Sequence, residues 1–194
     1  MLYDVQISSA PATEPVSASD VKTFLNISYA TDDTIIGTMI TSARFAIEQY
    51  TKRAFITQTI IAYYKSYDKT VNLPLQPIQS VTTVETVADD STTTLTVNSD
   101  YYVKGVQDKY LDFTGVNSIP AGHSPYENTA TYGLKVTYVA GYGAAGAVPQ
   151  SIKDAIVRLT AYYYDNRADF VTGTIVQRLP LTVTSLLNGY KRYV

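Results

Sequence analysis

The sequence contains no cysteine, no tryptophan and a single histidine among its 194 residues. Without cysteine the chain can form neither disulfides nor thiolate nucleophiles, and most structural zinc sites are excluded. One histidine leaves almost no material for a Ser-His-Asp triad or a histidine-rich metal site. No run of about 18 apolar residues occurs, so no membrane-spanning helix is expected. The first residues also lack the basic start and apolar stretch of a secretory signal.

The sequence also lacks a large excess of charge of either sign, because it contains 15 basic and 17 acidic residues. This balance argues against a dedicated nucleic-acid-binding protein. Tyrosine is abundant, with 18 copies against five phenylalanines. Tyrosine combines contact area with a polar hydroxyl group and is favoured at protein interfaces. The composition therefore favours a cytoplasmic interaction protein.

Helical periodicity begins after an N-terminal segment, residues 1–15, that contains two prolines and is expected to be an extended arm. Ser17 and Asp20 fit a capping box at the start of a short amphipathic helix that ends near Asn26. The next apolar residues recur at helical spacing over four turns, which predicts a second helix over residues 33–53.

The middle of the chain has a different texture, rich in Thr, Val, Ile and Tyr with alternating polarity. Turn residues divide it into short segments, which is typical of a small antiparallel sheet, sandwich or barrel. The helical period returns over residues 149–169, and Pro180 opens a last short helix. Gly189 is placed to end that helix as the residue after the C-cap.

These segments predict an α+β fold in which both ends of the chain build one small helical bundle. The bundle comprises residues 16–56 and 148–190, and an antiparallel β domain is inserted between them at residues 57–147. Residues 191–194 form a C-terminal tail. The two helical portions are too short to be separate domains, which favours this architecture.

One motif matches the glycine pattern of dinucleotide-binding turns, because residues 141–146 read Gly-Tyr-Gly-Ala-Ala-Gly between a predicted strand and a predicted helix. A dinucleotide-binding turn would require a parallel strand after the helix, carrying an acidic residue. Here the helix leads to a loop and another helix, so a flexible junction between domains is the favoured interpretation.

Titratable residues are sparse and scattered. The adjacent carboxylates Asp32 and Asp33 stand at a helix start, and Asp89 and Asp90 stand in a hairpin turn. Capping and turn formation explain both pairs better than acid–base catalysis does. His123 lies in a loop rich in glycine and proline without a second histidine. The sequence therefore offers no catalytic, cofactor-binding or metal-binding set.

Tyr162, Tyr163 and Tyr164 are consecutive on the predicted third helix. Three successive positions cover about 200° of a helix, so at least one tyrosine must point away from the bundle. Ordinary amphipathic packing with surface hydroxyls is one interpretation. Contact with a neighbouring subunit is the other, which makes Tyr162 and Tyr164 interface candidates.

In combination, these segments resemble the head–tail connector (adaptor or head-completion) proteins of long-tailed bacteriophages. The resemblance follows the family's order over most of the chain and is carried by these stretches: EPVSASDVKTFLNI, DDTIIGTMITSARFAIEQYTKRAFITQT, LPLQPIQSVTTV, VAGYG, VPQSIKDAIVRLTAYYYDNRAD and LPLTVTSLLNGYKRY. It implies a structural, non-enzymatic virion protein at the head–tail interface, present in the host cytoplasm during assembly. A β-rich module that binds proteins or sugars remains the alternative.

The resemblance also implies partners. Proteins of this family bind the portal as a ring, expected to be twelvefold, and they extend the DNA channel towards a stopper or tail-completion protein. DNA only passes through, and no membrane is involved. Family members insert their C-terminal tails into the portal, so the expected contact residues are Leu186, Leu187, Tyr190, Lys191, Arg192 and Tyr193. Alternatively, the two leucines close the bundle and only the last four residues are free.

Overall fold

The computed structural model describes residues 2–66, 69–88, 91–106, 108–114, 133–166 and 179–192. Within these ranges the fold is α+β, as the sequence predicts, with four α-helices and two antiparallel sheets. The helices are α1 (Ala18–Leu25), α2 (Asp33–Thr51), α3 (Gln150–Asp165) and α4 (Leu181–Leu187). The strands are β1 (Leu2–Ser9), β2 (Gln58–Tyr64), β3 (Thr70–Asn72), β4 (Ile78–Ala88), β5 (Ser91–Thr94), β6 (Tyr102–Lys104), β7 (Tyr110–Asp112) and β8 (Leu134–Ala140).

The chain divides into two compact units. The β unit comprises Met1–Ala12 and Thr57–Tyr142, and the helical unit comprises Thr13–Ile56 and Gly143–Val194. Each unit is therefore built from segments that are distant in sequence. Residues 1–12 belong to the β unit, whereas the sequence predicts an extended arm over residues 1–15.

The β unit contains a five-stranded sheet with the order β1-β2-β8-β4-β5 and a three-stranded sheet with the order β3-β7-β6. Along β2 and β8, buried and half-buried residues alternate strictly, as the two-residue period of a strand requires. Tyr138 on β8 is fully buried, and its hydroxyl group donates a hydrogen bond to the carbonyl oxygen of Pro74 at 2.8 Å. The alternating polarity of the middle segment correctly predicts strands here.

Strand β1 differs from the expected arm, because it pairs antiparallel with β2 from Leu2↔Tyr64 to Ser9↔Thr59. The sequence does carry a signal for it, since Val5 and Ile7 alternate with polar neighbours. Seven of its eight residues are exposed. The strand thus depends on backbone pairing, and apolar burial contributes little to it.

The helical unit has its core between α2 and α3, and α3 also contacts α1 and α4. Helical spacing brings the apolar residues of α2 and α3 to their buried sides, as the periodicity predicts. These residues are Ile36, Ile40, Ala43 and Ile47 on α2, and Ile152, Ala155, Ile156 and Leu159 on α3. No helix in the described ranges is long and apolar enough to cross a membrane.

The predicted capping box of α1 is present. The Asp20 backbone N–H donates to the Ser17 hydroxyl oxygen at 3.2 Å, and the Asp20 carboxylate accepts from the Ser17 N–H at 2.8 Å. The bonds that the Ser17 backbone N–H and hydroxyl group donate to the Asp20 carboxylate lower the pKa of that carboxyl. At the other end of the unit, Gly189 follows the C-cap of α4 as predicted, but its φ is not in the left-handed region. The backbone N–H groups of Tyr190 and Lys191 instead bond to the Leu187 carbonyl oxygen.

Candidate partner-binding surface

The C-terminal segment, defined here as residues 181–192, begins with helix α4, which packs on α3. Val183 and Leu187 lie one turn apart and face the core, with 1% and 0% of their surfaces exposed. Leu186 is half-buried, and Leu181 at the start of the helix is 72% exposed. Leu187 therefore closes the bundle and has no surface to offer a partner, whereas Leu186 retains some.

The residues after α4 are bound to the C-terminal end of α2. The Arg53 Nε donates to the carbonyl oxygen of Tyr190 at 2.7 Å. The backbone N–H of Arg192 donates to the carbonyl oxygen of Thr51 at 3.1 Å, satisfying one of the last carbonyls of α2. Residues 190 and 192 are therefore ordered by contacts within the protomer. The remaining predicted contact residue, Tyr193, lies outside the described residues.

Basic side chains concentrate at this end of α2. Lys52 is the left-handed C-cap of the helix, Arg53 follows it, and the Lys191 ammonium lies 4.6 Å from the centre of the Tyr50 ring. The last turn of α2 itself contains no basic residue. Cations near a helix C-terminus are stabilised by the partial negative charge of its carbonyl groups. Lys52, Arg53 and Lys191 together define the basic surface at the end of α2.

The tyrosines of α3 have different environments. Tyr162 is 41% exposed, whereas Tyr163 and Tyr164 are half-buried. The Tyr164 hydroxyl donates to the Asp32 carboxylate at 2.5 Å and lies 3.1 Å from the Tyr29 hydroxyl. The bond to Asp32 raises the pKa of Tyr164 far above its ordinary value. Tyr164 thus connects α3 to the α1–α2 loop, and Tyr162 presents the more accessible ring.

A buried ionic cluster, which the sequence pattern does not predict, orders the start of the helical unit. The Arg44 guanidinium donates from Nε to Glu14 and from one terminal nitrogen to Glu48, both at 2.7 Å. The second oxygen of Glu48 accepts from the Phe55 N–H at 2.8 Å, and Glu14 also accepts from the Thr41 hydroxyl. The cluster connects the segment before α1 and the segment after α2 to α2 itself.

In this cluster, burial and ion pairing shift the pKa values of Arg44 and Glu48 in opposite directions. Burial lowers the pKa of the Arg44 guanidinium, but the bond to Glu14 and the charge of Glu48 outweigh it, so the pKa is raised. Burial raises the pKa of the Glu48 carboxyl, and the Phe55 N–H and Arg44 offset only part of this shift. The i, i+4 spacing of Arg44 and Glu48 is the sequence signal for the pair, but it does not reveal burial.

The glycine motif forms a turn between β8 and a short 3-10 helix at Ala145–Ala147. Gly141 and Gly143 have φ angles of 120° and 132°, which side-chain-bearing residues rarely adopt. Helix α3 begins later, at Gln150, so the glycines do not lie at its first turn. The chain passes from one unit to the other here, in agreement with the favoured interpretation as a junction.

Of the acidic pairs and the histidine, the structure describes Asp32 and Asp33. Asp32 occupies the N-cap position of α2 without a side-chain capping bond and accepts from Tyr164 instead. Asp33 forms an ion pair with Lys22 at 2.8 Å. Asp89, Asp90 and His123 lie outside the described residues. The described residues contain no cluster of three or more metal-ligating side chains.

Comparison with solved structures shows the fold in virion-like particles. A chain from the neck of an empty gene transfer agent (GTA) particle, computed with C6 symmetry, superposes with a TM-score of 0.77 at 19% identity, covering 99% of this chain and 97% of that chain. A chain from the virion of the native GTA particle gives 0.77 at 18%, with coverage of 99% and 97%. A chain from the native neck computed with C12 symmetry gives 0.71 at 19%, with coverage of 97% and 96%. At these identities the likeness shows a common fold.

Comparison at the level of sequence gives the family. No curated protein matches this chain in sequence. The model of the head completion protein family matches residues 14–193, which include all but the first and last residues of the helical unit and the strands from β2 to β8. The chain belongs to the head completion protein family.

Proposed function

We propose that this protein is a head–tail connector that binds the portal as a ring and extends the DNA channel towards the tail. The observation that carries the proposal is the head completion family match over residues 14–193. The fold of GTA neck chains, present over nearly the whole length, supports it. As a head completion protein, the chain has its place at the head–tail interface of a virion-like particle.

Ring formation is the second part of the proposal. Two of the similar chains come from necks computed with C6 or C12 symmetry. Copies of one chain that contact each other through two different surfaces close into a ring when the rotation between them fits. We therefore propose that neighbouring copies of this chain form a ring, twelvefold on a dodecameric portal, with a stopper or tail-completion protein on its far side.

The small net charge of this chain is compatible with a role in lining a channel for DNA. The formal net charge is −2. Proteins that neutralise many phosphates hold DNA tightly, which would hinder its movement through a channel. A nearly neutral chain can line a channel without arresting its contents. The alternative function, a β-rich module that binds proteins or sugars, would explain only the β unit, whereas the family match includes the helical unit as well.

The portal contact is proposed for the basic surface at the end of α2 together with the C-terminal segment. Leu186, Tyr190, Lys191 and Arg192 contribute, and Tyr193 continues the chain. Each of the four described residues is half-buried and keeps part of its surface accessible. Aromatic and arginine side chains are enriched at the centres of interfaces. Tyr162 and Tyr164 are proposed for the contact between copies, Tyr162 through its exposed ring and Tyr164 by holding the end of α3.

Particle assembly without this protein tests the proposed function. Capsids produced in its absence should package DNA but carry no tails, because the surface on which the tail docks is missing. Adding the purified protein to such heads should restore tail attachment. Normal tailed particles in its complete absence would contradict a head-completion role.

A further inference from the structure

Strand β1 contributes little to the core of the protomer that carries it. Its apolar residues Leu2, Tyr3 and Ile7 are 44%, 55% and 41% exposed, and Val5 is half-buried. Backbone hydrogen bonds to β2 hold the strand in its register. Any chain that presents the same sequence can make these bonds equally well.

The partner strand β2 has the opposite requirement. Alternate residues of β2 are buried, including Ile60 and Ala62 at 0% exposure. Without β1, this strand would be an open, apolar edge, which in proteins leads to unwanted pairing. The edge of β2 must therefore be covered, but a copy of β1 from either chain would cover it.

The connection between β1 and the helical unit is short and does not determine which strand β1 pairs with. Helices α1 and α2 lie between β1 and β2 in the chain, so no hairpin turn fixes their pairing. Residues 10–13, which include Pro11, separate β1 from Glu14, and the buried Arg44 holds Glu14. Four extended residues reach about 14 Å. Only these four residues connect β1 to the held Glu14, so the connection leaves open which copy's β2 the strand pairs with.

We infer that β1 is exchanged between copies in the assembled ring, so that β1 of one copy pairs with β2 of the next. This inference rests on the proposed ring of copies. Exchange of an identical element between protomers preserves every bond of the closed protomer and adds a physical link between neighbours. The exchanged strand would place Leu2, Tyr3 and Ile7 on the neighbouring copy, so these side chains would belong to the contact between copies.

Engineered disulfides test the exchange, because the natural chain has no cysteine to interfere. Gln6 and Ile61 are register partners on β1 and β2, and neither is buried. Directly opposite Cβ atoms in an antiparallel pair are about 4.5–5.5 Å apart, so a small movement permits a disulfide. The double variant Q6C/I61C is assembled into rings on portals, oxidised and separated on a non-reducing gel.

The control is a pair that exchange cannot separate. Thr59 and Val139 are partners on β2 and β8, within the continuous part of the β unit, and both are half-buried. The variant T59C/V139C should run as a monomer under all conditions. A ring assembled from a mixture of the single variants Q6C and I61C provides a second measurement, since only exchange can join the two kinds of chain.

With exchange, oxidised Q6C/I61C rings yield a ladder of dimers and larger multiples that reduction returns to monomer. The mixed ring yields dimers. If intact rings of Q6C/I61C give only internally bonded monomers and mixed rings give no dimer, the inference is wrong while the proposed function stands. If the parent chain forms no ring on portals, the proposed function fails, and the inference fails with it.

Discussion

Arg44 connects three parts of the helical unit through two carboxylates. Its side chain is only 10% exposed, and that of Glu48 only 5%. Buried ion pairs add little net stability, but removing one partner leaves an uncompensated charge in a poorly solvated position. The cluster therefore makes the fold sensitive to substitution of the arginine. It also holds Glu14, which follows β1 in the chain after four residues.

Arg44→Met should lower the free energy of unfolding by about 3–5 kcal/mol, because Glu48 would lose its countercharge in the interior. Denaturant unfolding followed by circular dichroism measures this. Lys22→Met is the matched control, since it breaks the Lys22–Asp33 pair, in which the Asp33 side chain is 47% exposed. We expect the control to cost less than about 1 kcal/mol. Equal losses for the two variants would contradict the structural importance of the cluster.

The surroundings of Asp112 on β7 predict that the stability of the protein falls at acidic pH. The Lys104 ammonium and the hydroxyl and N–H groups of Thr114 lower the pKa of its carboxyl to about 2 from an ordinary 3.8. Between these values the unfolded chain binds more protons than the folded one. The contribution of Asp112 to stability is therefore fully present above about pH 4 and is lost as the pH falls towards 2. Unfolding curves of the wild type and Asp112→Asn from pH 5 to about pH 2 should converge as Asp112 becomes protonated. A constant difference would disprove the assignment.

At the scale of elements, α2 and α3 are the parts that the sequence predicts best. Their apolar residues follow the helical period, and observed ends lie within a few residues of the predicted ones. Each helix can bury its apolar side only against the other helix, which explains why α2 and α3, distant in sequence, pack together in one unit. Strand β1 was missed because its side chains are mostly exposed and its pairing with β2 is long-range. Strand β3, with three residues, is too short to show a period.

Ile40 tests the packing of α2 on α3. The residue is 2% exposed, so Ile40→Asp would place an unpaired charge in the core and should cost about 3–5 kcal/mol. Thr38→Asp lies on the exposed side of the same helix and should change stability by less than about 0.5 kcal/mol. Thermal and denaturant melting compare the two. An Ile40→Asp protein that melts like the parent would show that this packing is wrong.

Deletion of residues 190–194 tests the portal contact. The truncated protein should still fold, because Val183 and Leu187 remain in the core. It loses the bonds from Arg53 to Tyr190 and from Arg192 to Thr51, which together should reduce stability by about 1–3 kcal/mol.

We expect the folded truncated protein, with a nearly unchanged circular dichroism spectrum, to stop co-sedimenting with portal rings. Substitution of Leu181, which is 72% exposed, by serine is the control that leaves residues 190–194 in place. Retained co-sedimentation of the truncated protein would move the portal contact elsewhere, to the surface around Tyr162 or to the N-terminal strand.

At the scale of the whole molecule, the order of segments identified the family more clearly than any single residue did. The sequence resemblance and the family match extend over nearly the same range. Helical spacing alone does not distinguish a side chain that closes the core from one that stays accessible to a partner. Leu186 and Leu187 are adjacent in the chain, yet only Leu187 is fully buried.

Electron microscopy of the purified protein mixed with portal rings shows whether the protein binds the portal as a ring. If the protein is a connector, portal rings will gain an additional ring of density on one face, coaxial with the channel and with the rotational symmetry of the portal. Portal rings that remain unchanged at saturating protein concentration, together with unbound protein in the background, would show that the protein is not a portal-binding connector.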